Sequence, residues 1–148
     1  MLGDDLTEPR VAAALYESLP SDALLFVASS MPIRDLEAFA APRENPPRVL
    51  SNRGANGIDG LISTALGAAH AHDGPAVLLI GDVAFLHDLG GLLATRRTPA
   101  AMTIVVLDND GGGIFHFLPV AKEGADFEQH VATPHGIDFE RAAHLFDI

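Results

Sequence analysis

The feature of the sequence that most restricts the fold is a set of short apolar runs, each followed by glycine or polar residues. ALLFVAS (23–29), AVLLIG (76–81) and MTIVVLD (102–108) are too short and too uniformly apolar for surface helices, so we predict buried strands. RVLS (48–51) predicts a weaker fourth strand. Segments with helical spacing lie between these runs. The order predicts an α/β fold, a parallel sheet with helices on both faces.

Helices are predicted from apolar spacing and from caps and prolines near the segment starts. Five segments meet these criteria: 7–19, 32–40, 58–72, 84–97 and 138–146. Thr7 and Asp138 are the predicted N-caps of the first and the last. Gly90 and Gly91 weaken the fourth segment, because glycine is a poor helix former. For residues 113–136 we predict a loop with some local structure.

Composition restricts the ligands. The chain has 148 residues, of which 48% are hydrophobic, enough for the core of one ordinary domain. Nine lysines and arginines against twenty aspartates and glutamates give a net charge of −11, which excludes a nucleic-acid surface. An anionic ligand must therefore be held locally, by a metal, a helix N-terminus or single arginines. With no cysteine, a metal site must use oxygen or imidazole ligands, which favours a hard cation.

The sequence also bears on location. No run reaches the roughly 20 apolar residues of a membrane-spanning helix. The first five residues, MLGDD, lack the basic and apolar parts of a signal peptide. We therefore expect a cytoplasmic protein without a membrane span.

Polar residues follow two of the predicted strands. Asp82 comes directly after AVLLIG, and Asn109 lies in DNDGGG after MTIVVLD. Ligands of parallel sheets bind beyond the carboxyl ends of the strands, at a topological switch point. If the two strands are neighbours, a carboxylate, an amide oxygen and a carbonyl near Gly111 converge, as magnesium and an anionic cofactor require. Taken singly, a Gly-Asp pair after a strand is more typical of an ordinary turn, and a run of three glycines is more typical of a flexible loop.

Further motifs resemble a known family. GDV (81–83) and DNDGG (108–112) resemble the magnesium and diphosphate motif of thiamin diphosphate enzymes, with Val83 where a glycine is usual. SSMPIRDLE, SNRGANGIDGLISTALG, GDVAFLHDLGGL and GGGIFHFLP together resemble the C-terminal pyrophosphate-binding domain of the MenD family, the 2-succinyl-5-enolpyruvyl-6-hydroxy-3-cyclohexene-1-carboxylate synthases. The resemblance runs from about residue 29 to about residue 145, over four strand ends. It implies the thiamin diphosphate-binding fold.

The resemblance also implies roles for individual residues. Magnesium would be held by Asp82, Asn109 and the Gly111 carbonyl. Ile58 would lie under the thiamin and keep it bent. The substrate-facing residues would be Ser30, Arg34 and Arg53. The remaining cofactor-binding residues would be Gly81, Val83, Ala84, Ile114 and Phe115.

The family's reaction is the decarboxylation of 2-oxoglutarate on thiamin diphosphate and magnesium, followed by 1,4-addition of the succinyl group to isochorismate in menaquinone biosynthesis. The activating glutamate belongs to a separate pyrimidine-binding domain, and the site lies between two subunits. The resemblance therefore implies that residues 1–148 are one pyrophosphate-binding domain, a fragment of a longer homo-oligomeric chain that is incomplete at its C-terminus. Alone, it would be inactive.

Two other functions stay open. One is a different thiamin diphosphate-dependent 2-oxo acid decarboxylase or synthase. The other is a non-catalytic nucleotide-binding or dimerisation module, although no G-x-G-x-x-G follows the first strand.

Individual residues have alternatives too. Arg34 could pair with Asp35 or Glu37 as a solvated helix charge, and Ile58 could be core. His87 and His116 could serve the site or lie on an exposed surface. Asp108 and Asp110 could add negative charge near the cation or be ordinary turn residues.

Overall fold

A computed structural model of the chain describes residues 5–52, 54, 57–98 and 100–148. The chain divides into two compact units, the first ending at Leu107 and the second comprising Asp108–Ile148. The expectation of one domain over residues 1–148 stays a prediction.

The first unit contains a four-stranded sheet in which every pairing is parallel, in the order β2-β1-β3-β4. Its strands are β1 (Leu24–Val27), β2 (Arg48–Leu50), β3 (Ala76–Gly81) and β4 (Thr103–Leu107). All four predicted strands are confirmed. β1 and β3 lie in the centre and are buried almost throughout, as the uniformly apolar runs require.

Helices cover both faces of this sheet, as predicted. They are α1 (Glu8–Ser18), α2 (Met31–Phe39) and α3 (Leu61–His70). Leu25 and Leu79 point to one face and belong to a cluster with residues of α1 and α2. Leu24 and Ala76 point to the other face and pack with Ala69 of α3. This alternation follows from the two-residue period of a strand. In the described ranges, no helix combines the length and the apolar content needed to cross a membrane.

The single helix predicted over residues 84–97 is wrong. The structure has a short helix α4 (Asp82–His87) and then a 3-10 helix (Leu89–Arg96). The break lies at Asp88, and Gly91, inside the 3-10 helix, packs closely against Ser63 of α3. A Cβ atom at Gly91 would lie 2.7 Å from Ser63 Oγ, so this approach admits no side chain. Tertiary packing and the poor helix propensity of glycine together end the regular helix.

The other helix limits differ slightly. The segment predicted from residue 58 begins only at Leu61, so Ile58 lies in the preceding loop. Thr7 occupies the N-cap position of α1 without a side-chain capping bond.

The second unit consists of short helical turns, in agreement with the predicted loop of local structure. They are 3-10 helices Gly113–Phe117 and Pro119–Glu123, α5 (Ala125–Phe127), a π-helix Glu128–Ala132 and α6 (Phe139–Phe146). Phe127 and Ala132 are both buried. The Asp138 cap is confirmed, because its carboxylate accepts a hydrogen bond of 3.0 Å from the backbone N–H of Glu140.

One carboxyl group lies in the interior of the first unit. Asp35 of α2 is only 2% exposed, and its Oδ2 atom has no hydrogen-bond partner among the described residues. Burial, and secondly the nearby charge of Glu8, raise the pKa of Asp35 to about 6. The folded chain therefore favours the protonated acid at this position.

We predict that Asp35 makes stability fall as pH rises. Its folded pKa is raised, so its contribution is complete below about pH 4 and is lost as pH rises through about 6. The loss is up to about 3 kcal/mol at neutral pH. Asp35→Asn should abolish this dependence, as measured by chemical denaturation of the chain at several pH values. Glu37→Gln on the exposed side of α2 is the control. A wild-type dependence that survives in Asp35→Asn would contradict the prediction.

Candidate functional site

The order of the strands creates a switch point between β1 and β3. From β1 the chain proceeds outward to β2, whereas from β3 it proceeds to β4 on the other side. The connections diverge there, and in parallel sheets with this topology ligands bind at the carboxyl ends of such strands. Ser29 and Ser30 follow β1, and Asp82 follows β3. The predicted polar residues of the first unit therefore flank the place where such sheets bind ligands.

Asp82 is the first residue of α4 and is 2% exposed. Its Oδ1 atom accepts a hydrogen bond of 2.6 Å from the backbone N–H of Val83. Burial of a carboxylate at the end of a strand costs free energy unless hydrogen bonds or a cation compensate its charge. Its position and its hard oxygen donors fit a magnesium ligand. Val83 and Ala84 continue α4, and Gly81 ends β3 opposite Leu107 of β4.

Asn109 is the second residue of the second unit and lies in a tightly packed turn. The Asp108 carboxylate accepts a hydrogen bond of 3.1 Å from the backbone N–H of Asp110. A Cβ atom at Gly113 would clash with the Asn109 side-chain amide, so this glycine lets the amide lie against the backbone. The glycine-rich segment is thus a packed structure and not a loose linker.

Gly111 is required by conformation and by space. Its φ is +142°, and a Cβ atom there would clash with the carbonyl oxygen of Ala132. The next residue, Gly112, donates a backbone hydrogen bond of 2.8 Å to that same carbonyl. The Gly111 carbonyl predicted as a metal ligand therefore belongs to a backbone held in one conformation.

Asp110 holds this turn to a later loop of the second unit. Its Oδ1 atom accepts hydrogen bonds from the backbone N–H groups of Gly136 (2.7 Å) and His135 (2.9 Å). The hydrogen bond from Gly136 lowers the pKa of Asp110, and the bond and charge of His135 add to this effect, against a smaller rise from burial. The Asp108 and Asp110 side chains both accept hydrogen bonds from nearby backbone N–H groups, as ordinary turn residues do. Sequence reasoning attached no function to His135.

Ser30 and Arg34 are connected by a hydrogen bond. Ser30 occupies the N-cap position of α2 with φ 77° and ψ −133°, a conformation rare for a residue with a side chain. Arg34 is exposed, and its guanidinium donates a hydrogen bond of 2.5 Å to the Ser30 carbonyl. Within the described residues this contact replaces the pair with Asp35 or Glu37 that was its alternative. Strain of this kind persists where the surroundings impose it, and it is concentrated at functional sites.

The other predicted residues are placed as follows. Ile58 is half-buried in the loop before α3. Ile114 and Phe115 lie on the 3-10 helix Gly113–Phe117, where Phe115 is 40% exposed. Arg53 lies outside the described residues.

The two weighed histidines differ in their contacts. His87 is exposed at the end of α4. The ring of His116 packs edge-on against Phe127 with centroids 4.8 Å apart, and its Nε2 lies 3.7 Å from Glu128.

Sequence reasoning missed a polar network at this end of the first unit. The Asn52 side chain donates to Thr64 Oγ1 (3.2 Å), and Thr64 donates to the Gly60 carbonyl (2.6 Å). Asp88 accepts hydrogen bonds from Ser63. The available signal was the Ser-Thr pair in the first turn of α3, since such hydroxyls commonly bond to nearby backbone groups.

Comparisons with known proteins agree with this geometry. The family model described as thiamine pyrophosphate enzyme, C-terminal TPP binding domain, matches residues 35–148. TPP is another name for thiamin diphosphate. The chain is also similar in fold to the crystal structure of benzoylformate decarboxylase from Polynucleobacter necessarius, with a TM-score of 0.65 and 19% identity over 97% of this chain and 27% of that one.

Curated relatives have higher identity. A 2-succinyl-5-enolpyruvyl-6-hydroxy-3-cyclohexene-1-carboxylate synthase from Myxococcus xanthus is 54% identical over 96% of this chain and 24% of its own length. The Salinibacter ruber protein of the same name is 52% identical over 98% of this chain and 24% of its own length. The chain thus spans about a quarter of the length of the curated relatives it matches.

We predict that Gly111→Ala destabilises the chain. The substitution strains the backbone at positive φ, which alone costs about 1–3 kcal/mol, and adds the clash with Ala132. Gly67→Ala is the matched control, because Gly67 lies inside α3 with nothing within 4 Å of an added Cβ atom. It should stabilise by roughly 0.5–1 kcal/mol. Chemical denaturation measures both, and equal stability of the two variants would show that the Gly111 turn is loose.

Proposed function

Because the chain belongs to the thiamine pyrophosphate enzymes, as a C-terminal TPP-binding domain, we propose that it supplies the magnesium and diphosphate half of the active site of a 2-succinyl-5-enolpyruvyl-6-hydroxy-3-cyclohexene-1-carboxylate synthase. The observation that carries the proposal is the identity of about one half to proteins of that name over nearly all of this chain. The buried Asp82 at the switch point supports the location of the site.

The proposed reaction joins two steps. 2-Oxoglutarate loses carbon dioxide, and the remaining succinyl group adds to isochorismate in a 1,4-addition, within menaquinone biosynthesis. When bound, thiamin diphosphate stabilises the carbanion that the first step generates. The protein's own residues bind and orient the reactants, so most residues of the proposed site are positioning and binding groups.

Magnesium would be held by the Asp82 carboxylate, the Asn109 amide oxygen and the Gly111 carbonyl. These are three hard oxygen donors, and magnesium completes its six ligands with water and phosphate oxygens. Each donor has support within its own unit: Asp82 is buried at the end of β3, Asn109 lies against Gly113, and the Gly111 backbone is held through Ala132. Gly81, Val83 and Ala84 would contribute the backbone beside the diphosphate.

The substrates carry carboxylates, and Arg34 and Arg53 are suited to bind them. A guanidinium group offers two parallel donors to a carboxylate, and Arg34 keeps donors beyond the one used at Ser30. Ser30 would contribute its hydroxyl from the strained N-cap position of α2. Ile58 would support the bent thiamin, and Ile114 with Phe115 would line the pocket.

In this proposal the chain supplies one half of the active site. We propose that it is a fragment of a longer, cytoplasmic enzyme. The rest of that enzyme provides a pyrimidine-binding domain, whose glutamate activates the cofactor. We further propose that the site is completed between two subunits of a homo-oligomer. The 148-residue chain alone should then have no activity.

We predict that binding of thiamin diphosphate depends on magnesium and Asp82. Calorimetric titration of the full-length enzyme should give binding with magnesium and none with chelator. Asp82→Asn should weaken it at least about tenfold, the effect of losing about 1.4 kcal/mol. Asp73→Asn removes the same charge in the turn before β3, at the opposite end of that strand, and should change nothing. Metal-independent binding would exclude the proposed ligands. The same titration on the chain alone measures the affinity of the half-site.

We predict that the full-length enzyme prefers 2-oxoglutarate to pyruvate as the donor substrate. With 2-oxoglutarate and isochorismate, the enzyme should release carbon dioxide and form the succinyl adduct. Formation of the adduct is measured by chromatography. Pyruvate should be a poor donor, because it lacks the second carboxylate for an arginine. Preference for pyruvate would instead support a different thiamin diphosphate decarboxylase or synthase.

A further inference from the structure

The turn that carries two of the proposed metal donors has an acidic residue between them. Asn109 would bind magnesium through its side-chain amide oxygen and Gly111 through its backbone carbonyl, and Asp110 separates them in the sequence. Asp110 has φ 62° and Gly111 has φ 142°. Positive φ is uncommon outside glycine, and aspartate and asparagine adopt it more readily than other residues. The placement of the two donors relative to each other therefore depends on the backbone conformation at Asp110 and Gly111.

The Asp110 carboxylate connects this turn to a loop much later in the chain. Its Oδ1 atom accepts hydrogen bonds from the backbone N–H groups of His135 and Gly136, which are 25 and 26 positions away. The Asp110 side chain is 54% exposed, so solvent and salt screen its charge. Its main contribution is therefore the geometry that two hydrogen bonds to one stretch of main chain impose on the turn.

The loop that provides these donors is itself held within the second unit. The Nδ1 atom of His135 accepts a hydrogen bond of 3.1 Å from the backbone N–H of Ile137. The His135 ring packs edge-on against Phe139, with centroids 5.7 Å apart. Phe139 is the first residue of α6. The Asp110 carboxylate thus connects the turn to a loop that packs on a helix.

The Gly111 carbonyl lies between two such connections. On one side of it are the hydrogen bonds of Asp110. On the other side, the backbone N–H of Gly112 donates a hydrogen bond of 2.8 Å to the carbonyl of Ala132. Both connections end on residues 132–136. Of the two, the connection at Asp110 is made by a side chain, so a substitution can remove it and leave the backbone hydrogen bond in place.

We propose that Asp110 is a positioning residue for the metal centre. Its hydrogen bonds to the later loop hold the Asn109 amide and the Gly111 carbonyl in the conformation that binds magnesium. This inference rests on the proposed function, and Asp110 itself is not assigned as a ligand. Donors that are fixed before the ion arrives lose less conformational freedom on binding. Groups that orient metal ligands in this way typically contribute about 10- to 100-fold to metal affinity.

The test is the magnesium dependence of thiamin diphosphate binding to the full-length enzyme, measured by calorimetry at a fixed cofactor concentration. Asp110→Gly removes the carboxylate and accepts the positive φ, so the magnesium concentration for half-saturation should rise about tenfold or more. Asp110→Asn removes the charge but keeps an oxygen that can accept both N–H groups, so it should recover most of this loss. An Asp110→Asn enzyme as weak as Asp110→Gly would assign the effect to charge and overturn the inference.

Asp147→Gly is the matched control. Asp147 lies in the same unit, at the end of α6, and its φ of 59° is close to that of Asp110. The same residue is thus replaced in the same backbone conformation, away from the turn. Its magnesium dependence should stay within about twofold of wild type, as expected for an independent site. An equal loss in Asp147→Gly and Asp110→Gly would contradict a specific role for Asp110.

A measurement on the wild-type enzyme covers the case in which Asp110→Gly fails to fold. Coupling between two sites is reciprocal, so magnesium and thiamin diphosphate together should slow hydrogen exchange at the His135 and Gly136 amides. Unchanged exchange there would overturn the inference. Wild-type enzyme that binds thiamin diphosphate without magnesium, or that is inactive with 2-oxoglutarate and isochorismate, would instead overturn the proposed function. The two failures are therefore distinguishable.

Discussion

The parallel pairing of β1 with β3 is the constraint on which the rest of the first unit depends. Leu24 to Val27 of β1 pair in register with Ala76 to Leu79 of β3, and both strands are buried. A pair buried on both faces must be apolar along its length and must have helices above and below. Polar chemistry is thereby excluded from the strands and placed beyond their carboxyl ends. There the chain departs in opposite directions from the two strands, and this is the position at which sheets of this topology bind ligands.

The residues at that edge adopt conformations and environments that cost stability. Ser30 has a positive φ, and Asp82 is a buried carboxylate. Such features persist only where the surrounding structure imposes them, and both residues lie shortly after one of the two central strands. Asp35 shows that the interior of the same unit accepts a carboxyl group by raising its pKa.

The fold was largely predictable because its strands are local signals. Runs such as AVLLIG are short, apolar and bounded by turn residues, and these properties need no knowledge of the rest of the chain. The helix predicted over residues 84–97 failed because the close approach of Gly91 to Ser63 is a tertiary contact. The residue types of the candidate site were predictable from strand ends and from the family motifs. The hydrogen bonds from Asn52 to Thr64 and from Ser63 to Asp88 join residues 12 and 25 positions apart, so the Ser-Thr pair of α3 could indicate hydroxyl bonding but not these partners.

The charge of the chain determines how it can hold a diphosphate. With twenty acidic against nine lysine and arginine residues, its overall field repels an anion and cannot guide one to the site. Attraction of the diphosphate must therefore come from a local positive charge. A divalent cation between a carboxylate and the phosphates provides that charge. Hydrogen bonds compensate the charges of other acidic side chains of the chain. Asp110 is engaged by the backbone N–H groups of His135 and Gly136, and Asp88 by Ser63. Hydrogen bonds thus offset part of the negative charge at these two side chains, and in the proposed site a cation would do the same for Asp82.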